Sequence, residues 1–327
     1  MSGSFVSRLS YILRRLAQVA PMILAVVTIN FLLINLAPGD PATLMAGDFA
    51  DLETIERLRE EFGLNEPLHV QFSSYVWKVL NFDLGYSYQF RAPVLDIVLA
   101  RLPNTLILLF FSFILSMILG ILLAAVSARR PNRAFDNTAS SIAMLGYCLP
   151  MFWLGMMLIL IFSSTLRWFP TGGMYSLRAP SEGWPRMLDI GRHLVLPALA
   201  YAAYFLAMAY RLTRAKLIEI LREDYIRTAR MKGLSDWSVI FRHALRNALV
   251  PVIAVMGLDF GVMIGGAVVV ETVFSWPGVG RLMYESILSR DYPLLLGIFV
   301  IVSFGIILVN LIADLICAMI DPRIAYG

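Results

Sequence analysis

Residues 104–126 read NTLILLFFSFILSMILGILLAAV, a run of 23 residues without one charged side chain. A helix needs about 20 mostly apolar residues to cross the hydrocarbon core of a bilayer. Lipid offers no hydrogen-bond partner to backbone groups, so a chain that crosses it must pair these groups internally, as a helix does. The stretch therefore predicts a transmembrane helix.

Further apolar runs lie on both sides of this one. The chain is 59% hydrophobic and 15% charged, against about 45–50% apolar and about 25% charged in soluble domains, so a soluble protein is excluded. The third run contains Pro150, which predicts a kink, and the short fourth run contains Pro197. We predict an all-α integral membrane protein with six transmembrane helices, at residues 16–36, 104–126, 138–162, 194–210, 248–270 and 293–320.

Basic residues predict how the chain is oriented in the membrane. They concentrate in residues 1–15, in the loop after the second span and in residues 211–247. Cytoplasmic loops carry an excess of Lys and Arg, and six spans place these three regions on one side. Both termini are therefore predicted to be cytoplasmic, and the loops 37–103 and 271–292 to lie on the outer side.

The first outer loop, 37–103, is too long for a simple connector and is predicted to be structured. Leu52, Ile55, Leu58 and Phe62 recur at helical spacing, and Gly63 is placed to end that helix. A second short helix is predicted around residues 72–80.

Motifs for covalent chemistry and nucleotide binding are missing from the sequence. The dipeptide Gly-Lys never occurs, so there is no phosphate-binding loop of the GxxxxGK[ST] type. The two cysteines and three histidines show no metal-ligand spacing, and a net charge of +4 does not indicate nucleic-acid binding. We predict a chain that is not an enzyme and that holds no metal or cofactor by itself.

Two acidic residues, Asp259 and Asp314, fall within predicted spans. Ionisable groups at membrane depth are expensive and often functional. They indicate either a proton or cation relay in a gradient-driven carrier, or carboxylates that face water, a polar pathway or a partner helix.

The fifth predicted span carries Gly257, Gly261 and Gly265, spaced four residues apart on one helix face. Such overlapping GxxxG motifs let another helix approach closely. The partner helix belongs either to this chain or to a second subunit.

The segment 211–247 is too polar to span a membrane, yet Leu217, Ile218, Leu221, Tyr225 and Ile226 keep helical spacing. Gly233 interrupts the pattern, and Ser235 or Asp236 can cap a new helix. We predict a helix–turn–helix elbow with its tip at Gly233. It either lies on anionic lipid or docks onto a cytoplasmic partner.

The elbow sequence carries a family resemblance. DYIRTARMKGL (residues 224–234) and RHALRNALVP (residues 242–251) resemble the coupling-loop signature of ABC importer permeases, and more narrowly of the dipeptide/oligopeptide permease family. Arg227, Thr228 and Ala229 occupy the places of the family's Glu-Ala-Ala, and Gly233 is the signature glycine. Arg227 stands in place of the Glu, and Arg-Thr-Ala is similar to the residues that peptide-type permeases carry at these positions.

The resemblance covers nearly the whole chain, and the long first outer loop is typical of the larger of two permease subunits. Asp259 departs from the pattern, where a neutral residue is expected. The other matching segments are LAPGDP (36–41), REEFGLNEP (59–67), FDLGYS (82–87), ETVFSWPGVG (271–280) and DPR (321–323).

The resemblance implies a permease core at residues 102–321 in a bacterial inner membrane. Its implied partners are a second homologous permease, two cytoplasmic ABC ATPase domains that bind ATP and Mg, a periplasmic or lipoprotein solute-binding protein and the lipid bilayer. The implied cargo is a di- or oligopeptide, or alternatively a nickel chelate, glutathione or another small solute.

The resemblance also implies roles for particular residues. Asp259 is a possible pathway residue. The residues implied to couple to the ATPases are Arg227, Thr228, Ala229, Arg230, Lys232, Gly233 and Leu234. Those implied for a periplasmic gate region are Glu271, Pro277, Gly278 and Gly280.

Overall fold

The computed structural model describes residues 2–36, 42, 51–61, 63, 65–87, 89–176 and 182–320. Within them the chain is largely helical. The α-helices are α1 (Ser2–Leu36), α2 (Leu52–Glu61), α3 (Leu68–Leu80), α4 (Val94–Arg129), α5 (Ala134–Cys148), α6 (Met151–Leu158), α7 (Trp184–Ile220), α8 (Asp224–Met231), α9 (Asp236–Ser238), α10 (Leu245–Val273), α11 (Val279–Leu288) and α12 (Tyr292–Ile320). Two π-helical segments, π1 (Ile159–Thr165) and π2 (Val239–Ala244), continue α6 and α9.

A small β-hairpin was not predicted. Strands β1 (Tyr86–Ser87) and β2 (Ala92–Pro93) pair antiparallel, with Tyr86 opposite Pro93. Two-residue strands are too short to show the alternating pattern that identifies a strand in sequence. The all-α prediction therefore misses this local element.

Four helical stretches in the described part of the chain are long and apolar enough to cross a membrane: Val94–Arg129, Trp184–Ile220, Asp236–Val273 and Tyr292–Leu315. The pair Ala134–Cys148 and Met151–Thr165 could form a fifth span, and Ala17–Leu33 is a shorter apolar helix. The chain is thus a multi-pass membrane protein, and the count of six spans stays a prediction.

The third predicted span differs from a kinked helix. α5 and α6 meet at an angle of 106° at Leu149 and Pro150. Leu149 is extended, with φ −72° and ψ 134°, because the residue before a proline is disfavoured in the α conformation. Pro150 has no N–H to continue the ladder of α5. The helix is therefore broken here rather than bent.

Residues 51–87 contain the two helices predicted in the outer loop. α2 is followed by Gly63, whose φ of +62° is favourable for glycine and whose N–H donates to the Glu60 carbonyl (3.1 Å). α3 begins after Pro67 and packs on α1, where the Phe31 ring lies 5.3 Å from that of Phe72. Helices therefore occur at both predicted places, and Phe62, part of the first predicted pattern, lies outside the described residues. Residues 37–41 and 321–323, which carry part of the family resemblance, lie outside the described residues.

The chain divides into two compact units. The first consists of residues 1–105 and 277–311. Its core is a cluster of aliphatic side chains, and the Thr105 hydroxyl accepts a hydrogen bond from the Val279 N–H (2.8 Å) at the start of α11. The buried members of this cluster are Val94, Val98, Val279, Leu282, Leu294 and Ile298.

The second unit consists of residues 106–276 and 312–327. Here α7 packs against α4, α5 and α10. Gly120 of α4 allows the close approach, because a Cβ built there would lie 2.7 Å from the Ala209 Cβ. Tyr201, Tyr210 and Trp276 are fully buried. The elbow predicted from the sequence belongs to this unit.

Candidate functional site

The elbow is built from the ends of two long helices. α7 continues to Ile220, ten residues beyond the predicted end of the fourth span. The helical run predicted from Leu217 to Ile226 is interrupted at Leu221–Glu223, where Glu223 is extended and precedes α8. The Ser235 hydroxyl accepts a hydrogen bond from the Ser238 N–H (3.4 Å), which confirms the predicted cap.

α8 has one buried face that attaches it to the rest of the second unit. Ile226 is fully buried and Ala229 is 6% exposed. They pack in an apolar cluster with Leu217, Val239 and Ile240. Ala229 therefore lies in the core, although the resemblance placed it among the coupling residues.

The opposite face of α8 and the turn after it are exposed. We call this the elbow surface, defined as Arg227, Thr228, Arg230, Met231, Lys232, Gly233 and Leu234. It includes six of the seven predicted coupling residues. Met231 is 75% exposed but was not among the predicted coupling residues. Its position in the helical pattern does not by itself show whether an apolar side chain is exposed or in the core.

The tip of the elbow turns at Gly233. Its φ is +79°, and a Cβ built there would meet no atom within 4 Å. Its N–H donates to the Arg230 carbonyl (2.9 Å), and the Lys232 N–H donates to that of Thr228 (3.1 Å). The left-handed backbone, rather than lack of space within the chain, is what requires glycine here.

A buried ion pair holds α7 near the base of the elbow. Arg214 Nε and Nη2 each lie 2.6 Å from a carboxylate oxygen of Asp136, which is 1% exposed. Asp136 also accepts from the Tyr210 hydroxyl (3.1 Å) and the Asn132 N–H (2.7 Å). This bidentate pair ties α7 to α5. The sequence analysis did not predict this ion pair, although an acidic residue close to several arginines in the sequence indicated one.

Two further contacts attach the elbow to its neighbours. The Asn247 amide donates to the Tyr225 hydroxyl (2.8 Å), and Arg129 Nε pairs with Asp236 (3.2 Å). The Arg129 guanidinium also lies over the Trp237 ring, 5.4 Å from its centroid. These contacts link both ends of the elbow to α4 and to the start of α10.

The three glycines predicted on one face of α10 have different surroundings. A Cβ at Gly257 would lie 3.2 Å from the Ala313 Cβ, so this position packs on α12. Gly261 is buried, and a Cβ at Gly265 would meet nothing within 4 Å. Gly257 fits packing within the chain, whereas Gly265 leaves room for another subunit. Sequence reasoning missed Gly266, where a Cβ would lie 2.8 Å from the Tyr201 hydroxyl.

Leucine substitutions at Gly257 and Gly265 should separate these two kinds of packing. Gly257→Leu is expected to lower the melting temperature of the isolated chain in detergent by several degrees, because the Ala313 backbone must move. Gly265→Leu is expected to leave that temperature unchanged and to reduce association with a second subunit at least fivefold. Equal melting temperatures for the two variants would contradict this assignment.

The acidic residues of the spans also differ. Asp259 is half-buried, and its Oδ2 atom has no hydrogen-bond partner among the described residues. Asp314 of α12 is half-buried as well and interacts with other groups.

The four residues of the predicted gate region fall into both units. Glu271, in the second unit, is fully buried, and its carbonyl accepts from the Trp276 N–H (2.8 Å). In the first unit, the Pro277 carbonyl accepts from the Asn104 amide (2.8 Å). Gly278 precedes α11, and Gly280 is buried within it.

The described residues contain no group of three or more His, Cys, Asp or Glu side chains that could hold a metal ion. The elbow surface is exposed and so is Gly265 of α10, whereas Asp259 is half-buried on another side of that helix.

Comparison with known proteins identifies the family. Residues 116–326 match the model of the binding-protein-dependent transport system inner membrane component, and residues 8–109 match the N-terminal model of the same systems. The chain belongs to this family. It is an ABC transporter permease subunit rather than an enzyme.

Similar permeases align with this one along almost their full length. The oligopeptide transport system permease protein AppB of Bacillus subtilis is 40% identical over 97% of this chain and 99% of its own. The glutathione transport system permease protein GsiC of Salmonella choleraesuis is 41% identical, also over 97% and 99%.

Solved structures show the same fold for this permease. An inward-facing form of the MetNI methionine ABC transporter superposes with a TM-score of 0.56 at 15% identity, covering 69% of this chain and 96% of that one. At that identity the likeness concerns the fold alone.

Proposed function

We propose that this permease subunit imports di- or oligopeptides. Its neighbours at about 40% identity are named for oligopeptide and glutathione transport, and glutathione is itself a small peptide. In this proposal the subunit lines the pathway together with a second, homologous permease. A periplasmic or lipoprotein solute-binding protein delivers the peptide, and two cytoplasmic ATPase domains bind ATP and Mg.

The elbow surface is proposed to dock onto an ATPase, with both termini in the cytoplasm and six spans in the bilayer. The observation that carries this proposal is an exposed face of mixed cationic and apolar side chains on α8, whose other face is buried. Exposed ion pairs are each worth only about 0–1 kcal/mol, so the apolar residues Met231 and Leu234 would provide most of the affinity.

The way α7 is built suits it to transmit movement from the ATPase. It is one helix of 37 residues, about 55 Å long at 1.5 Å per residue. Arg214 ties it to α5, and α8 packs on the same apolar cluster as its last turns. A displacement of the elbow would therefore move α5 and α7 together as a rigid body.

Uptake in cells tests this function. Cells that lack this chain are expected to lose ATP-dependent uptake of labelled di- and oligopeptides, and the gene supplied in trans should restore it. ATP depletion is the matched control in wild-type cells. Unchanged peptide uptake would contradict the peptide proposal and favour a nickel chelate or another small solute.

A gradient-driven carrier acting alone is the alternative that the sequence left open. It is disfavoured, because the chain belongs to the ABC transporter permease family. Peptide uptake that persists after ATP depletion and stops when the proton gradient is collapsed would contradict ATP-driven import.

A further inference from the structure

Asp259 of α10 is an acid without a cation. Its Oδ2 atom is buried and accepts no hydrogen bond from any described residue, and no Lys, Arg or His of the described chain forms an ion pair with it. A carboxylate at membrane depth is costly unless it is paired or faces a polar pathway. Asp259 therefore has no balancing cation among the described residues of this chain.

A hydrogen bond between α7 and α10 indicates where Tyr204 lies relative to Asp259. The Tyr201 hydroxyl donates to the Met263 carbonyl, which fixes the register of α7 against α10. One turn further along α7 and one turn back along α10 brings Tyr204 level with Asp259, since the two helices run in opposite directions.

Tyr204 stacks on a second tyrosine, Tyr147, at the surface of the chain. The Tyr204 ring stacks on that of Tyr147 with centroids 4.7 Å apart and an angle of 21°. Tyr147 is 40% exposed, and Leu258 and Val262 beside Asp259 are 48% and 67% exposed. Tyr147, Leu258 and Val262 therefore place the rim of this site at the surface of the chain, with the half-buried Asp259 and Tyr204 beside them.

We infer that Asp259, Tyr204 and Tyr147 form a binding site for an organic ammonium group of the transported solute. A carboxylate supplies the opposite charge, and the faces of tyrosine rings attract cations. A peptide offers two such groups, its N-terminal ammonium and the side chain of lysine. This inference rests on the proposed peptide function, because it names the part of the peptide that the permease recognises.

The test uses proteoliposomes that contain the complete transporter, with labelled tri-alanine and Ala-Lys-Ala as probes. ATP-dependent uptake by the wild type must be present first, and its failure would overturn the proposed function rather than this site. Asp259→Asn is expected to lower tri-alanine uptake at least 10-fold with all subunits assembled, whereas Asp259→Glu is expected to stay within about threefold of wild type. Asp259→Glu is the matched control, since it keeps the charge at the same position.

The two probes distinguish the sources of the ammonium group. Equal losses for both identify the N-terminal ammonium, and a loss confined to Ala-Lys-Ala identifies the lysine side chain. Wild-type uptake of both probes by Asp259→Asn would overturn the site. So would equal inactivity of assembled Asp259→Asn and Asp259→Glu, because the charge would then not be what matters.

A second pair of variants keeps the proposal testable if Asp259→Asn does not assemble. Tyr204→Leu is expected to reduce uptake at least threefold, and Tyr204→Phe, which keeps the ring, to stay within about twofold. Equal uptake by Tyr204→Leu and the wild type would overturn the site.

Discussion

Replacing Gly233 with arginine is expected to abolish ATP-dependent uptake while the permease still folds and inserts. The chain itself has room for the side chain, because a Cβ at this position meets no atom within 4 Å. Two effects act against function. The φ of +79° costs about 1–2 kcal/mol for a residue with a Cβ, and a long cationic side chain would project from the tip that is proposed to enter the ATPase.

Three measurements check this prediction: the amount of chain in the membrane, co-purification of the ATPases and peptide uptake. The first should be unchanged, and the other two should fall at least 10-fold. Gly233→Asn is the matched control, since asparagine adopts left-handed backbone more readily than other side chains, and it should retain most uptake. Normal transport by Gly233→Arg would show that the elbow tip is not the coupling element.

Replacing Asp136 with alanine is expected to give the largest loss of stability. Asp136 is 1% exposed and holds Arg214, Tyr210 and the Asn132 N–H together. Removing one partner of a buried ion pair leaves the other charge uncompensated, which costs about 3–5 kcal/mol. The low end applies here, because the Arg214 side chain is 25% exposed. The end of α7 next to the elbow should loosen from α5, so ATPase co-purification should also fall.

Thermal unfolding of the purified permease in detergent measures this loss. Arg133→Ala is the matched control, since it removes one exposed charge three residues away and should change the free energy of unfolding by less than about 0.5 kcal/mol. The double variant Asp136→Leu/Arg214→Met removes both charges and should recover most of the stability. A single Asp136→Ala variant as stable as Arg133→Ala would contradict the role assigned to the pair.

The sequence predicted the elbow closely, because its signals are local. Gly233, the cap at Ser235 and the apolar spacing from Leu217 to Ile226 each depend on neighbours within a few residues. The break before α8 was missed, since the apolar residues on both sides of it keep the same spacing. Pro150 was identified as a disturbance, but its 106° effect depends on how α5 and α6 pack on α7.

The sequence by itself determined that the chain is a membrane protein of the ABC importer permease family, with no ATP-binding motif of its own. Hydropathy and local motifs depend only on residues that are close together in the sequence, so they can be recognised without knowing the tertiary contacts. The tertiary structure decided which of the marked residues act together. Only packing could pair Asp136 with Arg214 across 78 positions, bury Ala229 and stack Tyr147 on Tyr204. Only packing also gave Gly257 a neighbour within the chain and Gly265 none. Long-range contacts of this kind leave no periodic signal in one sequence.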